Sequence, residues 1–104
     1  MDCYKVSVSD PAEDDLRDIA RYISIKLASP ATALNMVDAI DKAIDNLEEM
    51  PERYPFVPDD RLAAMGYRTR RVKNYLIFFI INKKEHEVDV ARILYARRNW
   101  INIL

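Results

Sequence analysis

The sequence predicts a small α+β sandwich, order β-α-α-β-β-β, with a helical hairpin packed on a mainly antiparallel four-stranded sheet. Three observations predict it. An alternating segment opens the chain at 3–8, two stretches of helical apolar spacing fill 11–50, and three strand-like segments occupy 67–95. With 104 residues, half of them hydrophobic, the whole of 1–104 is expected to form one domain.

The first segment, "CYKVSV", places Tyr4, Val6 and Val8 on one face and Lys5 and Ser7 on the other, as a half-buried strand does. "SDPAEDDL" then opens a helix. Asp10 is expected to be its N-cap, Pro11 its first helical residue, and Glu13 the residue reaching back to the cap. Asp14 and Asp15 add negative charge at the positive helix end. Leu16, Ile19, Ala20, Ile23 and Leu27 give the apolar stripe of a helix over about 11–28.

"ASPATA" ends that helix and starts the next, with Ser29 as cap and Pro30 in the first turn. Ala33, Val37, Ile40, Ile44 and Leu47 form the second stripe, and Pro51 is expected to stop the helix near Met50. So short a link makes the helices antiparallel neighbours. Their outer face is acidic: Asp18, Asp38, Asp41, Asp45, Glu48 and Glu49.

"PERYPFVPDDRLAAMG" carries Pro51, Pro55 and Pro58 and reads as an ordered loop with at most a short helix near 59–65. "YRTRRV" and "YLIFFIIN" follow as strands joined by a tight turn at Lys73-Asn74, and "HEVDVARILY" is the third after the turn "NKKE". The middle run is apolar on both faces, as a covered central strand must be. The tail "ARRNWINIL" is expected to form one or two helical turns that pack through Trp100, Ile101, Ile103 and Leu104.

The formal net charge of −1 conceals a polarity along the chain. Residues 1–60 hold 6 Lys/Arg against 14 Asp/Glu, while residues 61–104 hold 10 against 3. Such separation bears on partners more than on fold, although neutralisation between the halves is the plainer alternative. The single cysteine, Cys3, excludes an internal disulfide, and no apolar run approaches the length of a membrane span. "MDCYKVSV" lacks the pattern of a signal peptide, so a cytoplasmic location is expected. No zinc-ligand spacing, Gly-rich phosphate loop or GxSxG turn occurs, and neither metal nor cofactor is expected.

The ordered set "YKVSVSDPAEDDLRDIARYI", "A..A......I..L..MPERYP", "R..RVKNYLIFFII" and "VARILYARR" resembles the RelE/ParE superfamily, the toxins of type II toxin–antitoxin modules, over nearly the whole chain. The resemblance implies a compact toxin held by a cognate antitoxin. It implies one of two targets: DNA gyrase for ParE-like members, or mRNA cut in the ribosome for RelE-like members. The "R...V.NYLIFF" and "RILYARR" patterns are closer to ParE.

A metal-free ribonuclease needs acid/base groups and cations around the phosphate. RelE-like enzymes use a central-strand Arg and a tail Tyr; here Leu76 falls at the strand position, and "NWINIL" has neither Tyr nor His. Arg97 supplies the cation after the last strand, with Arg98 beside it. Arg68, Arg97 and Tyr95 are the catalytic candidates under a RelE-like reading. Arg68, Arg70, Arg71, Lys73, Arg92, Arg97, Arg98 and Trp100 are the candidates for binding a target or RNA. Tyr75 reads as core, although adjacent arginines could lower its pKa, and Trp100 more as a tail anchor than a base-stacking platform. His86, in a hairpin turn, reads as solvated. Strand alternation puts Arg68 and Arg70 on one face and Arg71 and Lys73 on the other. The first pair is expected on the open face as the functional pair, leaving the second to the acidic helices or the antitoxin. Three readings follow: a ParE-like gyrase poison, a RelE-like endoribonuclease, and a degenerate antitoxin-binding module without toxicity. For all three the partner segment is expected to be acidic.

Overall fold

The computed structural model describes residues 3–104. Strand β1 (Lys5–Val8) leads through one residue into α1 (Asp10–Lys26), which turns back through α2 (Pro30–Asp45). Two single-turn 3-10 segments, Asn46–Glu48 and Pro51–Arg53, and the short α3 (Asp60–Ala64) precede β2 (Tyr67–Val72), β3 (Tyr75–Asn82) and β4 (Glu87–Tyr95); a last 3-10 turn spans Trp100–Asn102. The sheet order is β1-β4-β3-β2, with β1 parallel to β4 and the other pairs antiparallel. This is the expected α+β architecture. Among the described residues no helix is long and apolar enough to cross a membrane.

The helix boundaries differ from expectation in two places. The N-cap of α1 is Ser9, whose Oγ accepts from Ala12 N at 3.1 Å, so Asp10 and Pro11 belong to the first turn. Both residues are good caps; Ser9 prevails because it is also tied to β4, its N–H donating to Val90 O and its hydroxyl to Ala91 O at 2.8 Å. α2 ends at Asp45, and Asn46–Glu48 tightens into a 3-10 turn that still buries Leu47. The reversal at Met50 is left-handed, φ 46°, and Pro51 follows it.

The apolar stripes of α1 and α2 cover one face of the sheet, where Ile19, Ile23, Ile40 and Ile44 meet Ile77, Phe79, Val88, Val90 and Ile93. Strict alternation would put Val90 and Ile93 on opposite faces. The register slips by one between Phe78 and Phe79, which pair with Arg92 and Val90, so Ala91 is an extra residue and Ile93 turns back to the helices. The other face is covered as well. Phe78 and Leu94 bury against Val57 and Leu62, with Tyr67, Leu76, Trp100, Ile103 and Leu104 packed around them. A central strand apolar on both sides is thus explained by two cores.

Candidate functional site

The cations divide into two groups with different surroundings. Arg92 lies on β4 beyond the end of β1, where the strand edge has lost its partner. Asp15 of α1 takes that place: its Oδ2 accepts from Ile93 N at 3.0 Å, and its two oxygens accept from Arg92 Nε and Nη2 at 2.7 and 2.8 Å. Asp15 is 8% exposed, and its hydrogen bond holds the Arg92 pKa above the ordinary guanidinium value. One charge is thereby used inside the fold.

Arg70 and Arg68 also turn inward. Arg70 Nη1 donates to Ala43 O in the last turn of α2 at 2.8 Å, and its guanidinium sits 5.0 Å from the Tyr54 ring centre. A cation there meets the negative end of the helix. Arg68 Nη1 donates to Tyr54 O at 2.7 Å and Glu52 O at 3.1 Å, and the guanidinium stacks 3.9 Å from the Phe56 ring centre. The pair expected on an open face therefore braces α2 and the 51–57 loop against β2. The face opposite the helices is not open, because α3 and the tail cover it.

Arg71, Lys73, Arg97 and Arg98 remain exposed. Lys73 and Asn74 form the β2–β3 turn, Arg71 Nε donates to Lys73 O at 2.8 Å, and Ala96 N donates to Asn74 O at 2.8 Å. Arg98 N closes a turn on Tyr95 O at 2.9 Å. One end of the sheet thus gathers these four cations, which neither the strand alternation nor the sequence distance between 73 and 97 revealed.

A groove of about 650 Å³ opens beside this end, between the helical hairpin and the ends of β3 and β4. Ile23, Leu27, Met36 and Ile93 line its apolar floor, while Asp18, Lys26, Asn74 and Arg98 stand at its polar margin. Tyr22 and Leu27 are 58% and 62% exposed, more than half of each large apolar side chain. Sequence reasoning missed this groove. Its signal was Tyr22, an apolar residue on α1 outside the stripe that packs on the sheet.

Three tyrosines converge here. Tyr75 and Tyr95 pair across the strands with ring centres 5.9 Å apart, and Tyr22 joins them along the groove. Burial, then the Tyr22 and Tyr95 phenols, pushes the Tyr75 pKa up. The lowering that neighbouring arginines could have given Tyr75 does not occur, so it is poorly suited to accept a proton. Tyr95 is 43% exposed at the mouth of the groove. Trp100 packs on Phe78, ring centres 5.3 Å apart, and Leu76 lies against the same cluster. His86 stacks on Tyr4 at 4.1 Å between ring centres and 13° between planes. Among the described residues no group of three or more His, Cys, Asp or Glu is placed to hold a metal ion.

The arrangement can hold an amphipathic segment in the groove and several negative charges at the sheet end. Residues 6–100 match the family model described as the ParE toxin of the type II toxin–antitoxin system parDE. Among solved structures, a chain of the chromosomal ParDE toxin–antitoxin system from P. aeruginosa superposes with a TM-score of 0.76 at 19% identity, covering 93% of this chain and 100% of that one. A chain of a RelBE toxin–antitoxin complex from Mycobacterium tuberculosis gives 0.64 at 18% identity, covering 91% and 93%. A chain of the intact E. coli RelBE complex gives 0.60 at 13% identity, covering 91% and 99%. No curated protein sequence matches significantly.

Proposed function

The chain belongs to the ParE toxin family of type II toxin–antitoxin systems, and from that premise we propose that it arrests growth in the cytoplasm by poisoning DNA gyrase unless a cognate antitoxin covers it. The family match over residues 6–100 carries this reading. The surroundings of the catalytic candidates support it over RNA cleavage. Leu76, where RelE-like enzymes place an arginine, packs in the second core, and Arg68 is held by two backbone carbonyls. Poisoning an enzyme by binding needs a surface rather than a proton acceptor. The test is a supercoiling reaction with purified gyrase. Inhibition with accumulation of cleaved DNA is expected; unchanged supercoiling at high toxin excess would sink the reading.

The antitoxin segment is proposed to be amphipathic and acidic, with apolar side chains in the groove and carboxylates against Lys26, Arg98 and the basic sheet end. Tyr22→Ala and Leu27→Ala are expected to weaken the complex at least tenfold. A complex whose antitoxin makes no acidic contact to residues 68–98 would refute this arrangement.

The exposed set Tyr95, Arg97 and Arg98 favours a second reading, ribosome-dependent mRNA cleavage with Tyr95 as the proton-transfer group. Mapping mRNA 5′ ends in a bacterial cell-free translation reaction decides it. New cuts that depend on ribosomes support cleavage; intact mRNA with normal protein yield removes it. Harmless expression in the native host without antitoxin would instead mark an antitoxin-binding module without toxicity.

A further inference from the structure

We propose that the basic end of the sheet contacts the phosphate backbone of duplex DNA directly, through Arg71, Lys73, Arg97 and Arg98. The proposal rests on the gyrase reading for where the duplex is met, since a topoisomerase poisoned in action holds DNA. The contact itself belongs to this chain.

Four observations carry it. First, these four cations are exposed, whereas Arg68, Arg70 and Arg92 are consumed by carbonyls, rings and Asp15. Second, no ion pair among the described residues neutralises them. The ion pairs among the described residues are Arg17–Asp14, Arg21–Asp18 and Arg92–Asp15. The two carboxylates that line the groove with Arg98 have other partners, Asp15 in Arg92 and Asp18 in Arg21. Third, they sit at the end of β2 and on the short, hydrogen-bonded turns after β2 and β4: Arg71 is on the strand, and Lys73, Arg97 and Arg98 follow the strand ends. Exposed Arg71 spends only its Nε on Lys73 O, which leaves its terminal nitrogens available for a planar, two-point phosphate contact. Fourth, the acidic ridge of Asp41, Asp45, Glu48 and Glu49 lies toward the far end of α2, while the start of α2 borders the groove and the basic end. A polyanion approaching the molecule is repelled from one end and drawn to the other.

The same surface is poorly made for single-stranded RNA. Recognition of single strands leans on exposed aromatic platforms. Trp100 is turned onto Phe78 and Tyr75 is buried; the exposed rings near this end are Tyr95 and Tyr22, and Tyr22 stands on α1 in the groove rather than on the strand ends and turns that carry the four cations. Backbone contact without base stacking suits a duplex.

The experiment measures binding of the full, antitoxin-free chain to a fluorescein-labelled DNA duplex by anisotropy, without gyrase. With about four phosphate contacts the slope of log K against log salt is expected near −3.5, about a hundredfold loss between 50 and 200 mM salt. The double variant Arg97→Gln/Arg98→Gln should roughly halve that slope and weaken binding alike on duplexes of different sequence. Arg71→Gln/Lys73→Gln should do the same, and Lys42→Gln, on the exposed side of α2, should do neither. Thermal melts establish that each variant is folded. No duplex binding at low salt, or binding that these variants leave unchanged, overturns the proposal. Tighter binding to a single-stranded RNA of equal length overturns the choice of duplex DNA. Supercoiling inhibition is measured on the same samples. Inhibition that persists without duplex binding removes this contact and leaves the gyrase reading standing, whereas duplex binding without inhibition does the reverse.

Discussion

Asp15 serves three donors of β4 with one buried carboxylate, and its loss strands all of them at once. Asp15→Ala leaves Arg92 without its charge partner and Ile93 N–H without an acceptor, at an expected cost of about 3 kcal/mol in urea denaturation. Adding Arg92→Ala should recover part of that cost; a double variant as unstable as the sum of the singles would mean that the pair is not coupled. Asp41 behaves in the opposite sense. Burial, then the Asp45 and Asp38 charges, raises its pKa. The native state therefore holds its proton to higher pH than the unfolded chain, so this group costs stability at neutral pH, and the cost disappears as pH falls through the raised value. Asp41→Asn should raise Tm slightly at pH 7 and leave it unchanged well below the unfolded carboxylate value; an effect of equal size at both would exclude the charge as its cause. At this scale the sequence says least. Arg92 and Arg97 are the same residue type five positions apart, and only the tertiary partner separates a structural cation from a free one. Asp15 could be read only as helix-terminal charge, because its partner lies 77 residues away.

Elements were far more legible, because their signals are local. The stripes of α1 and α2, the prolines of 51–58 and the apolar run of β3 each announce the structure they form, and both helical starts carry a serine followed within two residues by proline. What was misjudged, the Ser9 cap and the end of α2, depends on contacts from elsewhere. Ser9→Ala removes the cap on Ala12 N and the bond to Ala91 O together, and about 1–2 kcal/mol of stability should go with them. A loss below a few tenths would mean that Asp10 takes over. The link between the helices is strained, since Ala28 adopts φ 47°. Ala28→Gly should gain about 0.5–1 kcal/mol by relieving it, seen as a higher urea midpoint at unchanged slope.

For the whole molecule, β3 is the member common to both cores: Ile77 and Phe79 face the helices, and Phe78 faces α3 and the tail. Neither layer can separate without exposing that strand, so unfolding should be a single transition by both Trp100 fluorescence and helical circular dichroism. Phe78→Ala is expected to cost about 3–5 kcal/mol and to lower both signals together. A fluorescence change that precedes loss of helix would show the tail-side core melting alone. The β3 run read from sequence as covered on both faces, but what covered the second face did not, because α3 is only five residues long and the tail has no strong periodicity. The basic end was equally hidden, being assembled from a turn and a strand end that meet only in the sheet.

The parallel pairing of β1 with β4 sets when this molecule comes into being. Residues 5–8 find their sheet partners only at 87–90. At about 5–20 residues per second, a ribosome takes on the order of ten seconds to make the chain between them. Throughout that interval residues 5–8 have no sheet partner, the Ser9 hydroxyl has no Ala91 carbonyl to hold, and the turn at 73–74 has no Ala96 to fix it. The completed sheet, and with it both the groove and the cationic end, forms only once residues 87–98 have been made. An antitoxin segment that docks in the groove thus meets a folded sheet rather than a growing strand.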